Sequence, residues 1–145
     1  MPRSALCSTT FLLITAAVFV TNCGNSHQLK SVSVTPATAD AKDFANGQVQ
    51  FTAAGTFSNP PSPVTLTSQQ VTWCYGGLAT AGTPMAGRCA GNIAQFATVD
   101  QNGMAHCAPS FQGTVYILAG TESVSMMPDG GAQLKVYGSA QLTCP

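Results

Sequence analysis

From Lys30 onward the chain is a succession of short runs in which β-branched or aromatic residues alternate with polar ones, and no segment sustains a helical period. Alternation sends successive side chains to opposite faces of a strand, so such runs suit sheets with one covered face. Val32–Thr35 alternates and is stopped by Pro36. Val49–Ala53 follows the turn pair Asn46-Gly47, and Val71–Trp73 follows the proline-rich Asn59–Pro63. Phe96–Val99 runs into Asp100–Gly103, and Met104–Cys107 leads away from it. Thr114–Leu118 follows Gly113, and Leu134–Tyr137 follows Asp129–Gly131. Seven short strands with no helix between them predict an all-β, antiparallel sandwich. The length, 145 residues, is that of one domain.

The N-terminus follows another pattern. After Arg3 there is no charge until Lys30, and Phe11–Val20 is solidly apolar. Ten helical residues span about 15 Å, half a bilayer core, so this run is too short to cross a membrane alone. A basic start, an apolar run of this length and small residues after it read as a secretory signal peptide over residues 1–22, rather than a buried N-terminal helix. Val20-Thr21-Asn22-Cys23 resembles the lipobox of bacterial lipoproteins. That resemblance implies a diacylglycerol on the Cys23 thiol, cleavage before Cys23 and acylation of the new N-terminus. Asn22 stands where that family carries Gly, Ala or Ser. Ordinary cleavage after Cys23, releasing a soluble periplasmic or secreted protein, is the alternative. Residues 23–28 are then a short tether and residues 29–145 the folded domain.

Charge narrows the partners. Only 7% of residues are charged, five basic and five acidic. From Cys23 onward four bases (Lys30, Lys42, Arg88, Lys135) face all five acids, a formal charge of −1. No basic field is present to attract a phosphate backbone, which disfavours nucleic acid. With 45% apolar residues the composition is also the reverse of a disordered chain. Ser, Thr, Gln and Asn are left to fill the outward strand positions.

Six of the chain's segments, taken in order, resemble the group 2 bacterial immunoglobulin-like domain. They are Leu29–Pro36, ending in Thr-Pro; Gly47–Phe57, with its apolar-Thr-Ala run; Val71-Thr72-Trp73; Ala97–Asp100 with Asn102-Gly103; Gly113–Ile117; and the closing Leu134–Val136. Together they cover residues 29 to 137. The resemblance implies an immunoglobulin-like antiparallel β-sandwich of about seven strands. It also implies an exported module, one that works in adhesion or in binding a protein or carbohydrate at the cell surface. The chain departs from the family in two ways: Cys74–Ala90 forms a long insert after Trp73, and the domain occurs once rather than as tandem repeats.

Cys74, Cys89, Cys107 and Cys144 remain in the exported body. Four cysteines in an oxidising compartment form two disulfides, with three connectivities available. A zinc site is the rival, but no pair has C-x₂₋₄-C spacing and His106 is a lone histidine beside Cys107. The family topology implies that all four cysteines gather at one end of the sandwich, which leaves the three pairings open; Cys74–Cys89, closing the insert, with Cys107–Cys144, pinning the tail, is the pairing expected. Val71 and Trp73 should face the core, with Phe51, Val99, Val115, Ile117, Leu134 and Val136 as neighbours.

No catalytic constellation is legible. His27 falls in the tether, no Gly-x-Ser-x-Gly elbow is present, and no phosphate loop, dinucleotide fingerprint or HExxH motif occurs. The carboxylates Asp40 and Asp43 read as a solvated turn rather than a calcium site, and no cofactor is expected. A binding or structural module is the expectation. If Cys23 is lipidated, the Asn59–Pro63 loop and a loop at Thr121–Gly131 should lie toward the membrane, with the insert outward. Tyr75, Met85 and Arg88 of that insert are then candidate partner contacts. The alternative is a structural envelope or assembly component with no dedicated ligand.

Overall fold

The computed structural model describes residues 27–78, 87–90, 96–126 and 131–145, with residues 77–78 and 122–126 described by backbone alone. Residues 1–22, expected as a signal peptide, and Cys23 lie outside the described residues.

The chain is an all-β sandwich. One layer begins with β1 (Leu29–Thr35), which pairs antiparallel with β4 (Thr52–Phe57), beside the two-residue β5 (Val64–Thr65). The same layer continues through β3 (Gln48–Gln50), paired with β8 (Met104–Cys107), which in turn pairs with β7 (Ala97–Val99). Only Phe51 separates β3 from β4, so one run of chain joins both ladders. The facing layer is a single sheet in the order β2 (Thr38–Asp40), β10 (Ala132–Cys144), β9 (Gly113–Met126) and β6 (Thr72–Leu78).

All seven expected strands are present. β2 and β5 are additions, each too short to show an alternating pattern. One pairing is parallel rather than antiparallel: β2 lies along Gln141–Thr143 of β10. Pro36 has no N–H to give a ladder, so β1 ends there. The chain then crosses to the other layer and continues at its edge as β2.

Alternation builds the core. Val32, Val34, Val49, Phe51 and Ala53 from the first layer meet Val71, Tyr75, Val115, Ile117, Ala119, Ala140 and Leu142 from the second. Phe51, Val49, Val115, Ile117 and Leu142 are fully enclosed. Trp73, Val99 and Val136 pack on the margin of this core. Leu134 is a correction. A register shift between Leu134 and Val136 places one extra residue, Lys135, in β10. A one-residue bulge reverses the faces beyond it, and Leu134 joins Leu118 and Cys89 on the outer side of the sheet.

Two turns are as expected. Asn46 and Gly47 both take positive φ, 58° and 65°. In the Asp100–Gly103 turn one Asp100 carboxylate oxygen accepts the N–H groups of Asn102 and Met104, both at 2.8 Å. Gly103 has φ 83°, and a Cβ there would stand 2.5 Å from the Phe51 carbonyl oxygen and 2.9 Å from the Trp73 indole. Only glycine fits that crossing.

Candidate functional site

The cysteines pair as Cys74–Cys89 and Cys107–Cys144, the expected pairing. Their placement differs from the expected single cluster at one end. β6 does not stop at Trp73 but continues to Leu78, so Cys74 sits mid-strand opposite Leu118. Cys144 lies opposite Gly113, five residues away along β9 and about 17 Å at strand spacing. Cys107–Cys144 therefore closes one end of the sandwich, joining β8 of one layer to β10 of the other. Cys74–Cys89 lies on the outer face of the four-stranded sheet.

That outer face carries a second apolar cluster of Cys89, Leu118 and Leu134, flanked by Cys74, Tyr116, Ala132 and Tyr137. The end of the insert is laid onto it. Cys89 N–H donates to the Ala132 carbonyl, Ala90 N–H donates to the Tyr75 carbonyl, and Leu134 N–H donates to the Gly87 carbonyl, each at 2.8 Å. Tyr75 and Ala140 both stand opposite Ile117. A straight β10 would carry Ala132 about 26 Å beyond Ala140, at about 3.3 Å per residue. Bonds that link Ala132 to Tyr75 through Cys89 and Ala90 require the far half of the β9–β10 hairpin to bend back over the sheet. Residues Thr121–Met126, expected as loop, are part of this hairpin as the second half of β9.

The candidate partner contacts of the insert separate. Tyr75 continues the face set by Val71 and Trp73 and is only 8% exposed, its ring centroid 6.0 Å from that of Phe96. Burial pushes its phenol above the ordinary tyrosine range. It is a core residue, which corrects the expectation of an outward contact. Arg88 is half-buried and forms an antiparallel bridge with Gln133. Met85 lies outside the described residues.

The ends of the sandwich hold features that sequence reading missed. At the end where β1 meets β2, Pro36, Thr38, Ala39, Asp40, Asp43, Phe44 and Thr143 line an open cleft of about 500 Å³. Among the described residues Phe44 is the one large hydrophobic side chain classed as exposed, at 40%. Asp40 caps the short 3-10 turn Ala41–Asp43 by accepting the Lys42 N–H at 3.1 Å, and its carboxylate meets Lys42 Nζ at 2.8 Å. The Lys42 hydrogen bonds hold the Asp40 carboxyl below its ordinary range, and Asp40 holds the Lys42 ammonium above its own. Asp40 thus closes a local turn with Lys42. Among the described residues no group of three or more His, Cys, Asp or Glu could hold a metal ion.

At the opposite end His27 is already part of the fold, two residues before the expected boundary. Its ring stacks on Phe57 with centroids 4.3 Å apart and planes 9° from parallel, and its Nε2 lies 2.7 Å from the Asn59 carbonyl oxygen. Gln28 N–H donates to Ser58 Oγ, and Ser58 N–H donates to the Gln28 carbonyl. A lone aromatic in a polar loop was a readable signal for Phe44; nothing in the sequence marks the His27–Phe57 stack. His106 is exposed on β8. The two disulfides suit an oxidising, extracytoplasmic setting. Among the described residues no helix is long and apolar enough to cross a membrane. The chain matches no protein-family model and no curated protein.

Proposed function

We propose that this chain is an exported, immunoglobulin-like module of the cell surface, held to a membrane by a lipid on Cys23, that works by binding a protein or a glycan rather than by catalysis. The observation that carries export is the pair of disulfides, one across the layers and one on the outer face. Anchoring is supported by the Val20–Cys23 sequence after an apolar run of signal-peptide length. The immunoglobulin-like reading is supported by a strand order in which β2 leaves β1 to pair in parallel with the last strand, β10. Binding is supported by the Phe44 cleft, an aromatic side chain and two carboxylates at an accessible end of the domain.

A structural envelope component is the second reading. It is favoured by the end of the insert, residues 87–90, which is fastened onto the sheet by the Cys74–Cys89 bridge and three backbone bonds. Glycan-array and envelope cross-linking experiments with the exported protein separate the two. A ligand captured by the native domain and lost on Phe44→Ala, with the fold intact, is the outcome expected of a binding module. Capture that is unchanged in Phe44→Ala would remove the cleft from the account, and an absence of any specific ligand would favour the structural reading.

A further inference from the structure

We propose that the end of the sandwich built by His27, Phe57 and the Asn59–Pro63 loop is a membrane-contact surface resting on phospholipid headgroups, with the Phe44 cleft turned away from the bilayer. The proposal rests on the Cys23 anchor argued above and adds to it a face, an orientation and a ligand chemistry.

The leash is short and its exit is fixed. Four residue steps separate Cys23 from His27, at most about 14 Å of extended chain. β1 alone, seven residues long, measures about 23 Å. An anchor at Cys23 therefore reaches the near end of the domain and cannot bring the far end to the same membrane without laying the domain flat. His27 does not act as loose tether, because the Phe57 stack and the Asn59 contact hold it to the end of β4. Leu29 pairs with Phe57 while Thr35 pairs with Thr52, so β1 runs from this end directly toward Pro36 and the cleft.

The two ends also differ in charge. Residues 27–35 and 57–71 carry one formal charge, Lys30, and the adjoining β9–β10 ladder, where Thr121 borders Ser68–Thr72, adds Glu122 and Lys135, which offset each other. Asp40 and Asp43 lie in the far cleft beside Lys42. An anionic headgroup layer attracts the Lys30 end and repels the acidic end, and one lysine biases the orientation of a tethered domain by about fivefold. Pro60, Pro61 and Pro63 have no N–H groups to lose to a thinned water layer. Among the described residues the exposed large hydrophobic, Phe44, is at the other end, so the described part of this end meets headgroups and offers no large apolar side chain to the acyl layer.

The test uses the whole chain, exported and recovered from the membrane fraction, with intact mass reading the state of Cys23. The lipidated protein is placed in vesicles of phosphatidylcholine with phosphatidylglycerol, and amide exchange is compared with the same protein in neutral detergent. Peptides spanning residues 57–70 should slow by about fivefold while those spanning 36–47 stay unchanged. Lys30→Glu should cancel most of that slowing and leave residues 36–47 as they were. A Cys23 without lipid overturns the anchoring and this surface with it. A lipidated Cys23 with equal protection at both ends, or with residues 36–47 the more protected, overturns the surface alone.

Discussion

Tyr75 shows how a single residue changes meaning when a strand runs further than its hydrophobic pattern suggests. It follows the cysteine that opens the insert, yet it keeps the inward face of Val71 and Trp73 and is buried against Phe96. Tyr75→Ala should cost about 3–5 kcal/mol in denaturant unfolding, as large-to-small core changes do, and Tyr75→Phe far less. An alanine variant as stable as the parent would place the ring at the surface. Gly103 is constrained by positive φ together with the closeness of Phe51 and Trp73. Gly103→Ala should destabilise by about 2 kcal/mol or more, read as a lower denaturation midpoint, because both strain and overlap oppose it. At the exposed Asp40–Lys42 pair the carboxyl is held down by its hydrogen bonds. The pair's contribution is present above the ordinary aspartate value and fades as pH falls through the lowered folded value. Lys42→Ala should raise the Asp40 pKa in an NMR titration; an unmoved titration would deny the contact.

The strands themselves were largely legible because alternation and turn chemistry agree. Val32-Ser-Val34, Val49-Gln-Phe51 and Val115-Tyr-Ile117 each place their branched residues on the core face. What was not legible lies where pairing, and not pattern, decides. Thr121–Met126 is strand because it pairs with the start of β10, although its run Thr-Glu-Ser-Val-Ser reads as loop. Leu134 left the core through a bulge that no sequence pattern marks. The position of Cys74–Cys89 depends on the hairpin folding back, a tertiary event. The bridges close loops of 15 and 37 residues. In the chain-entropy treatment these contribute about 3 and about 4 kcal/mol. The paired variants should differ in kind as well as amount. Cys74→Ala/Cys89→Ala should speed amide exchange at residues 87–90 and 132–134 while the central core stays protected. Cys107→Ala/Cys144→Ala should free the end of β10 and with it β2. Identical exchange maps for the two would mean that the bridges brace the same unit.

At the scale of the whole molecule, low charge, two bridges and an N-terminal apolar run form one picture. A chain with 7% charged residues presents Ser, Thr, Gln and Asn at its surface, and among the described residues it buries no charged side chain. Cross-layer closure by Cys107–Cys144 ties the last strand to the first layer. The cleft and the His27 end are separated by the length of β1, so one end is free to meet a partner when the other is tethered. What binds the parts into one account is the state of Cys23. Intact mass and N-terminal peptide mapping of the protein recovered from the envelope read that state directly. The account predicts a chain beginning at Cys23, carrying a diacylglycerol on its thiol and an acyl group on its new amino terminus, with the other four cysteines oxidised in pairs. A chain beginning after Cys23, or one keeping Cys23 as a free thiol, would contradict it.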